Sequence, residues 1–363
     1  MTFKLPGFTK SVLALLSVAV VLFFGARAIN SAVKYSRAQA QERFFNAGAV
    51  QGLADSRGSL NGAGQGGATP VPSVPGVMEG NSLVAQAARR VQAEPSVQAQ
   101  IRFRIDAAGQ NLLGNGQYIQ LGDGPEKLLR FDLKLQVAER TAALQQISGQ
   151  QYYWVRRDLP PAAYKVARVN LRSVRNAIAK DKATRDNDRE SAPITTPADD
   201  AWLLLGGLPA LLESLHRDFE FGSARAGEIE YPVGNDGRAQ RLPVWAVSGT
   251  WKAGRWKELT KSAAKKNKHA PPMSLPERVD LVLGRNERSF SLFPYRVIYY
   301  AREAGRAGEG KAAELTPLVS MEFFNVQPAA ELDPRDFDYN PGEQEIEDLT
   351  QVYLQKLGLA TKQ

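Results

Sequence analysis

The chain of 363 residues has no cysteine and only two histidines. The first absence excludes disulfides, thiolate nucleophiles, Cys-ligated zinc and the lipid-modified cysteine of a bacterial lipoprotein. It does not report the redox compartment, because a cysteine-free chain is at ease in either. The second absence argues against imidazole catalysis and His-ligated metal: His216 falls in a strongly helical segment and His269 in a lysine run, and neither setting places an imidazole beside a nucleophile. No G-x-S-x-G elbow occurs, no two carboxylates stand out as acid and base, and Ser214 near His216 lacks a third group to orient it. The sequence therefore reads as a non-enzyme without cofactor or metal.

Two further motifs are incomplete. Residues 111–124, NLLGNGQYIQLGDG, carry four glycines, yet neither the spacing of a dinucleotide fingerprint nor the Gly-Lys-Ser/Thr ending of a Walker loop is there. These glycines read better as turn chemistry. Gly114, Asn115 and Gly116 would loosen or bulge the start of a strand carrying Tyr118 to Leu121, and Gly122, Asp123 and Gly124 would make a hairpin into the next strand. Further on, Asp336, Asp338, Asn340 and Glu347 take the first, third, fifth and twelfth places of a calcium loop, but Pro341 holds the sixth, where glycine is needed.

What is present begins with composition: 43% hydrophobic, 23% charged and a net charge of +8, an ordinary globular balance with room for one large domain or two small ones. Residues 1–10 form a short basic tail. An uncharged apolar run from Ser11 to Ala26 follows, and 11–29 reads as a signal anchor or a cleaved signal peptide, since Ala26, Arg27 and Ala28 also spell a cleavage site. Residues 30–47 would continue as a juxtamembrane helix, and 48–81, rich in Gly, Pro and Ser, as a flexible linker. The basic n-region favours an inner-membrane anchor with the folded domain in the periplasm, or release into the periplasm after cleavage; Arg27, Lys34 and Arg37 leave the orientation open.

The remainder, 82–358, reads as one folded domain. NSLVAQAARRVQAE has a helical apolar period with an Asn/Ser cap. From Val97 the period becomes two. Ile101, Phe103 and Ile105 alternate with charged residues, as do Leu129, Phe131, Leu133 and Leu135, and similar runs contain Trp154, Trp245 and Val247. Nine or ten strands with one apolar and one wet face predict a large, curved antiparallel sheet in an α+β fold. The segment DDAWLLLGGLPALLESLHRDF is apolar nearly all round, with Trp202, Leu205, Leu208 and Leu212 among its bulky residues and a Gly-Gly-Pro interruption. It is either a buried core helix or the movable wall of an apolar cavity against the sheet. A final helix is expected over EQEIEDLTQVYLQKLG. Lys257, Lys261 and Lys265 share one face of a basic helix, which is a solvated face, a surface for anionic lipid or, third, a nucleic-acid contact; nucleic acid would want aromatics interleaved on an exposed platform, and most aromatics here alternate with polar residues, so burial explains them better.

The order of these elements resembles the LolA/LolB-type lipoprotein-carrier family, including its membrane-anchored, outer-membrane lipoprotein-sorting members. The carrying segments are LLRFDLKLQV with QYYWVRRDLP, WLLLGGLPALLESL, LFPYRVIYYARE and DPRDFDYNPGEQEIEDLT. The resemblance implies an incomplete barrel closed by helices around a cavity for lipid or lipoprotein acyl chains, with an envelope protein as a further partner. A structural or interaction domain with a filled core is the alternative, and an envelope hydrolase the more distant one.

Overall fold

The computed structural model describes residues 77–107, 110–137, 140–159, 164–184, 201–233, 238–258, 276–285, 290–302, 315–328 and 332–359. The expected anchor, the juxtamembrane helix and most of the linker lie outside the described residues, as do Lys261 and Lys265. Among the described residues no helix is long and apolar enough to cross a membrane.

The described part opens earlier than the sequence suggests, with strand β1 (Val77–Met78), followed by helix α1 (Gly80–Ala93). The cap of α1 is Glu79, whose carboxylate accepts the N–H groups of Asn81 and Ser82, rather than the expected Asn/Ser pair. Asn81 is used elsewhere, its amide joining Phe221 N–H (2.9 Å) and the Glu220 carboxylate (2.7 Å). Six strands then run in succession: β2 (Ser96–Ala107), β3 (Gln110–Leu121), β4 (Leu128–Val137), β5 (Arg140–Ser148), β6 (Tyr152–Asp158) and β7 (Lys165–Asn170). Helix α2 (Leu171–Thr184) follows. The apolar segment forms two helices, α3 (Ala201–Leu204) and α4 (Leu208–Asp218). Strands β8 (Phe219–Phe221), β9 (Ala224–Val233), β10 (Arg238–Trp251), β11 (Arg278–Gly284), β12 (Pro294–Arg302) and β13 (Leu315–Gln327) complete the main ladder, and β14 (Ile346–Asp348) and α5 (Thr350–Lys356) end the described chain.

Thirteen strands lie on one path, β1-β9-β10-β11-β12-β13-β2-β3-β4-β5-β6-β7-β14, with β8 beside β10. Every pairing is antiparallel except β14 with β7. The two ends of the path do not pair, so the sheet stays open. This is the expected α+β class with more strands than expected. The surplus comes from short β1, β8 and β14, too brief to show alternation, and from β7 and β9, where charged residues blur it. The expected C-terminal helix is also shorter: Leu349 N–H bonds Arg168 C=O beside the β14–β7 pairing, the Asp348 carboxylate accepts Thr350 N–H (2.9 Å), and only then does α5 begin.

The ladder registers sort the strands into two faces. Ile101, Phe103 and Ile105 of β2 share a face with Phe131, Leu133 and Leu135 of β4 and Met321 and Phe323 of β13, and all are buried. Helices α1 and α4 pack on each other and join that face in a single apolar core. The expected bulge near Gly114 and Gly116 is absent: β3 pairs residue for residue with β2 and β4 through both positions. A Cβ at Gly114 would lie 2.5 Å from Leu135 Cδ2, and one at Gly116 would run into the Asp132 carbonyl. These glycines let β4 lie close against β3. Gly122 (φ 92°) and Gly124 (φ 63°) do make the expected turn, in the left-handed region that glycine tolerates.

Candidate functional site

The interior expected to hold a ligand is built from the sheet's apolar face and the α3–α4 segment. Ile101, Phe103, Ile105, Leu129, Phe131, Leu133, Leu135, Trp202, Leu208, Leu212 and Val247 are all buried there, with Leu205 and Trp245 half-buried against them. Trp202 lies over Tyr118 (ring centroids 6.3 Å apart, 30° between planes) and edge-on to Phe131 (5.8 Å, 87°), while Phe323 meets Tyr118 edge-on at 6.2 Å. Rings thus fill the space between α3 and strands β3 and β4.

Trp154 is not part of this set. Ser148 pairs with Tyr153 and Ile147 with Trp154, which sends Tyr153 and Val155 into the core and Trp154 to the opposite face. There it packs with Ile119, Ile147 and Phe337 and lies 5.2 Å from the Tyr339 ring. A strand shifted by one residue exchanges its faces, and QYYWVRRDL does not reveal its own phase.

Between α3 and α4, Gly206 (φ 126°) and Gly207 (φ 80°) break the helix, and a Cβ at Gly207 would stand 2.5 Å from Tyr118 Oη. The break is docked on a buried polar group that sequence reading missed. The Tyr118 hydroxyl accepts Leu208 N–H (3.3 Å) and donates to Gln120 Oε1 (2.9 Å). The Gln120 amide in turn donates to the carbonyls of Val91 (3.3 Å) and Glu94 (2.9 Å) at the end of α1. Lys127, only 2% exposed, places its ammonium on the carbonyls of Val91, Gln92 and Glu94 at 3.2, 2.9 and 3.1 Å. A cation there satisfies the orphan carbonyls of a helix C-terminus and complements its dipole. Burial lowers the Lys127 pKa to about 8, with the charges of Asp123 and Glu94 working the other way. Burial also holds the Tyr118 phenol well above its ordinary range, against the Leu208 N–H. The sequence sign of this network was slight: Gln120 stands between Ile119 and Leu121, while Lys127 simply follows the polar turn at 122–126.

The far end of α4 is fixed by charge. Asp218, 1% exposed, meets Arg217 (2.9 Å) and Arg255 (3.0 Å), the latter from a helical stretch at 253–258. Lys257 is exposed on that stretch.

The opposite face of the sheet carries an open groove of about 910 Å³. Its centre is Asp132, whose carboxylate accepts Gln117 Nε2 (2.9 Å), Gln145 Nε2 (3.0 Å) and Arg130 Nε (2.8 Å) from β3, β5 and its own strand. Arg102, Lys134 and Arg156 line it as well. Among the described residues no group of three metal-ligating side chains gathers.

No protein-family model matches the chain, and no curated protein sequence matches it. Solved structures align with it only distantly, among them the following three. A DUF1329 family protein from Desulfovibrio piger shares 12% identity, with a TM-score of 0.29 over 72% of this chain and 98% of that one. A domain described as an outer membrane lipoprotein-sorting protein from Vibrio parahaemolyticus shares 11%, with a TM-score of 0.28 over 71% and 96%. The MucA/MucB complex of Pseudomonas aeruginosa gives 11% and a TM-score of 0.31, over 72% of this chain and 60% of that one. Likenesses at this level assign no role to any residue.

Proposed function

We propose that the chain is a membrane-tethered, non-enzymatic carrier or receptor of the cell envelope that holds lipid or the acyl groups of a lipoprotein between its sheet and the α3–α4 segment. The observation that carries this reading is the Gly206–Gly207 break, which seats an over-apolar helical segment on the sheet through one tyrosine hydroxyl. Leu208, Leu211 and Leu212 shield the same apolar strands that an acyl chain would cover. Replacing them with an acyl chain therefore exchanges like for like. A dozen buried methylenes contribute about 10 kcal/mol gross, on the scale needed to offset lifting one short helix from its seat. Glycine at both positions lets the backbone re-orient without a Cβ clash. The apolar run at 11–29 would anchor the chain in the inner membrane, with the domain in the periplasm.

The second reading is an envelope interaction domain whose core stays filled, and the ring packing of Trp202 on Tyr118 and Phe131 favours it. One experiment separates the two. The full chain is irradiated with a diazirine-bearing palmitoyl lipopeptide and the crosslinked peptides are identified. Crosslinks to 101–105, 129–135 and 202–212 are expected. Crosslinks confined to 11–29, or none, would overturn the carrier reading and leave the filled-core domain.

A further inference from the structure

The buried tyrosines of the apolar face are not equivalent. Tyr118 has a partner for its oxygen and one for its proton. Tyr299 of β12 is 4% exposed and its hydroxyl oxygen, with no measurable solvent contact, has no hydrogen-bond partner. Register fixes where it sits. Tyr299 pairs with Val279 of β11 and Val319 of β13, and Val319 pairs on with Ile105 of β2, so its side chain belongs to the inner face. Its row lies toward the strand ends at residues 107, 110, 302 and 315. Val319 beside it is half-buried, while Val297, one row deeper, is fully buried. Tyr299 thus lies one row in from that edge of the apolar face, beside Val279 and Ile105, with Val297, Met321 and Phe103 one row further in.

A buried hydroxyl without a partner is costly and uncommon in a finished core. A phenylalanine would fill the same place without that cost. Burial pushes the phenol above its ordinary range, so it keeps its proton and is a donor in want of an acceptor. The polar end of a chain whose tail lies deeper along the apolar face stays toward that edge, and in an acylated molecule the first acceptor met there is the carbonyl joining the chain to its head.

We propose that Tyr299 is the hydrogen-bond donor to the acyl carbonyl of an ester- or amide-linked chain, so that the interior selects acylated ligands over ether-linked or plain hydrocarbon ones of equal length. This rests on the carrier reading above and adds to it the chemical class of the ligand's linkage.

The test uses the full chain and two synthetic lipopeptides identical except at the linkage, one with an ester-linked palmitoyl chain and one with an ether-linked hexadecyl chain. Each competes for binding with the diazirine-bearing palmitoyl lipopeptide, read as lost crosslinking to 101–105 and 129–135. Wild type is expected to favour the ester by about five- to tenfold, the scale of one hydrogen bond made in a dry site, and Tyr299→Phe to bind both alike. Because the hydroxyl has no partner to lose, Tyr299→Phe should unfold at the same temperature as wild type or higher. Equal binding of ester and ether by wild type, or an ester preference retained in Tyr299→Phe, would overturn the proposal while leaving the carrier reading intact. Failure of both lipopeptides to compete in wild type would overturn the two together.

Discussion

The two faces of one sheet are built from the same strands and behave as different materials. On the inner face, Ile101, Phe131, Leu133 and Phe323 share one apolar core with the leucines of α4, where a change in volume is felt directly. On the outer face, Arg102, Arg130, Asp132 and Glu322 form ion pairs that remain partly wet, with side chains 24–41% exposed. Stability resides in packing on one side, and exchangeable charge lies on the other. A third zone lies between them at the end of α1, where Lys127, Gln120 and Tyr118 are polar but fully buried.

The largest effect is expected on the inner face. Phe131→Ala removes a ring 1% exposed and in contact with Trp202, and is expected to cost about 3–5 kcal/mol in urea unfolding. A loss below about 1 kcal/mol would mean that the interior already holds space, and would strengthen the carrier reading.

Lys127 probes the buried polar zone through pH. Its pKa is lowered from 10.5 to about 8 in the folded protein, so between those values the unfolded chain binds more protons than the native one. Stability from this group therefore rises with pH across that window and is lowest below about 8, where the buried charge is carried in full. The stability difference between wild type and Lys127→Met should shift in favour of wild type by about 1–3 kcal/mol from pH 8 to 10.5, measured by urea unfolding at each pH. A flat difference would show that the three carbonyls hold the ammonium charged throughout.

Next in size is Tyr118→Phe, expected to cost about 1–3 kcal/mol because it strands the Leu208 N–H and half of the Gln120 amide in a dry site. Amide exchange at Leu208 should quicken in the same variant, since the seat of the α3–α4 break is gone. Unchanged exchange would show that ring packing alone holds the segment down.

Much of the inner face was legible in the sequence because a period of two over ten or more residues fixes both strand and face, as in β2 and β4. Phase was not legible where the run is apolar on both sides: Tyr152, Tyr153 and Trp154 leave either assignment open, and only the pairing of Tyr153 with Ser148 decides it. The outer apolar patch of Ile119, Ile147 and Phe337 was hidden for a different reason, since its cover arrives from residues 332–339, nearly two hundred positions away from Ile147 in the chain. Lys127 and Gln120 were missed likewise, because their partners are carbonyls of α1 and a helix end advertises no side chain. The Gly206–Gly207 break was visible as a pair of glycines, but its docking on Tyr118 was not.

The smallest effect is expected on the outer face, at Arg102. Its guanidinium lies 3.5 Å from the Glu322 carboxylate and 5.4 Å over the Phe324 ring, which by contact alone would suggest a structural role. Yet Glu322 is also held by Arg296 at 2.8 Å, and Arg102 is 41% exposed, so water and a second arginine replace most of what it supplies. Exposed pairs of this kind contribute about 0–1 kcal/mol, and Arg102→Ala should change unfolding stability by no more than about 0.5 kcal/mol. Its salt dependence should be equally slight. A loss several times larger would mean that the outer ladder is cooperative, with Arg102, Glu322 and Arg296 acting as one unit, and the contrast between a packed face and an exchangeable one would have to be redrawn around that triad.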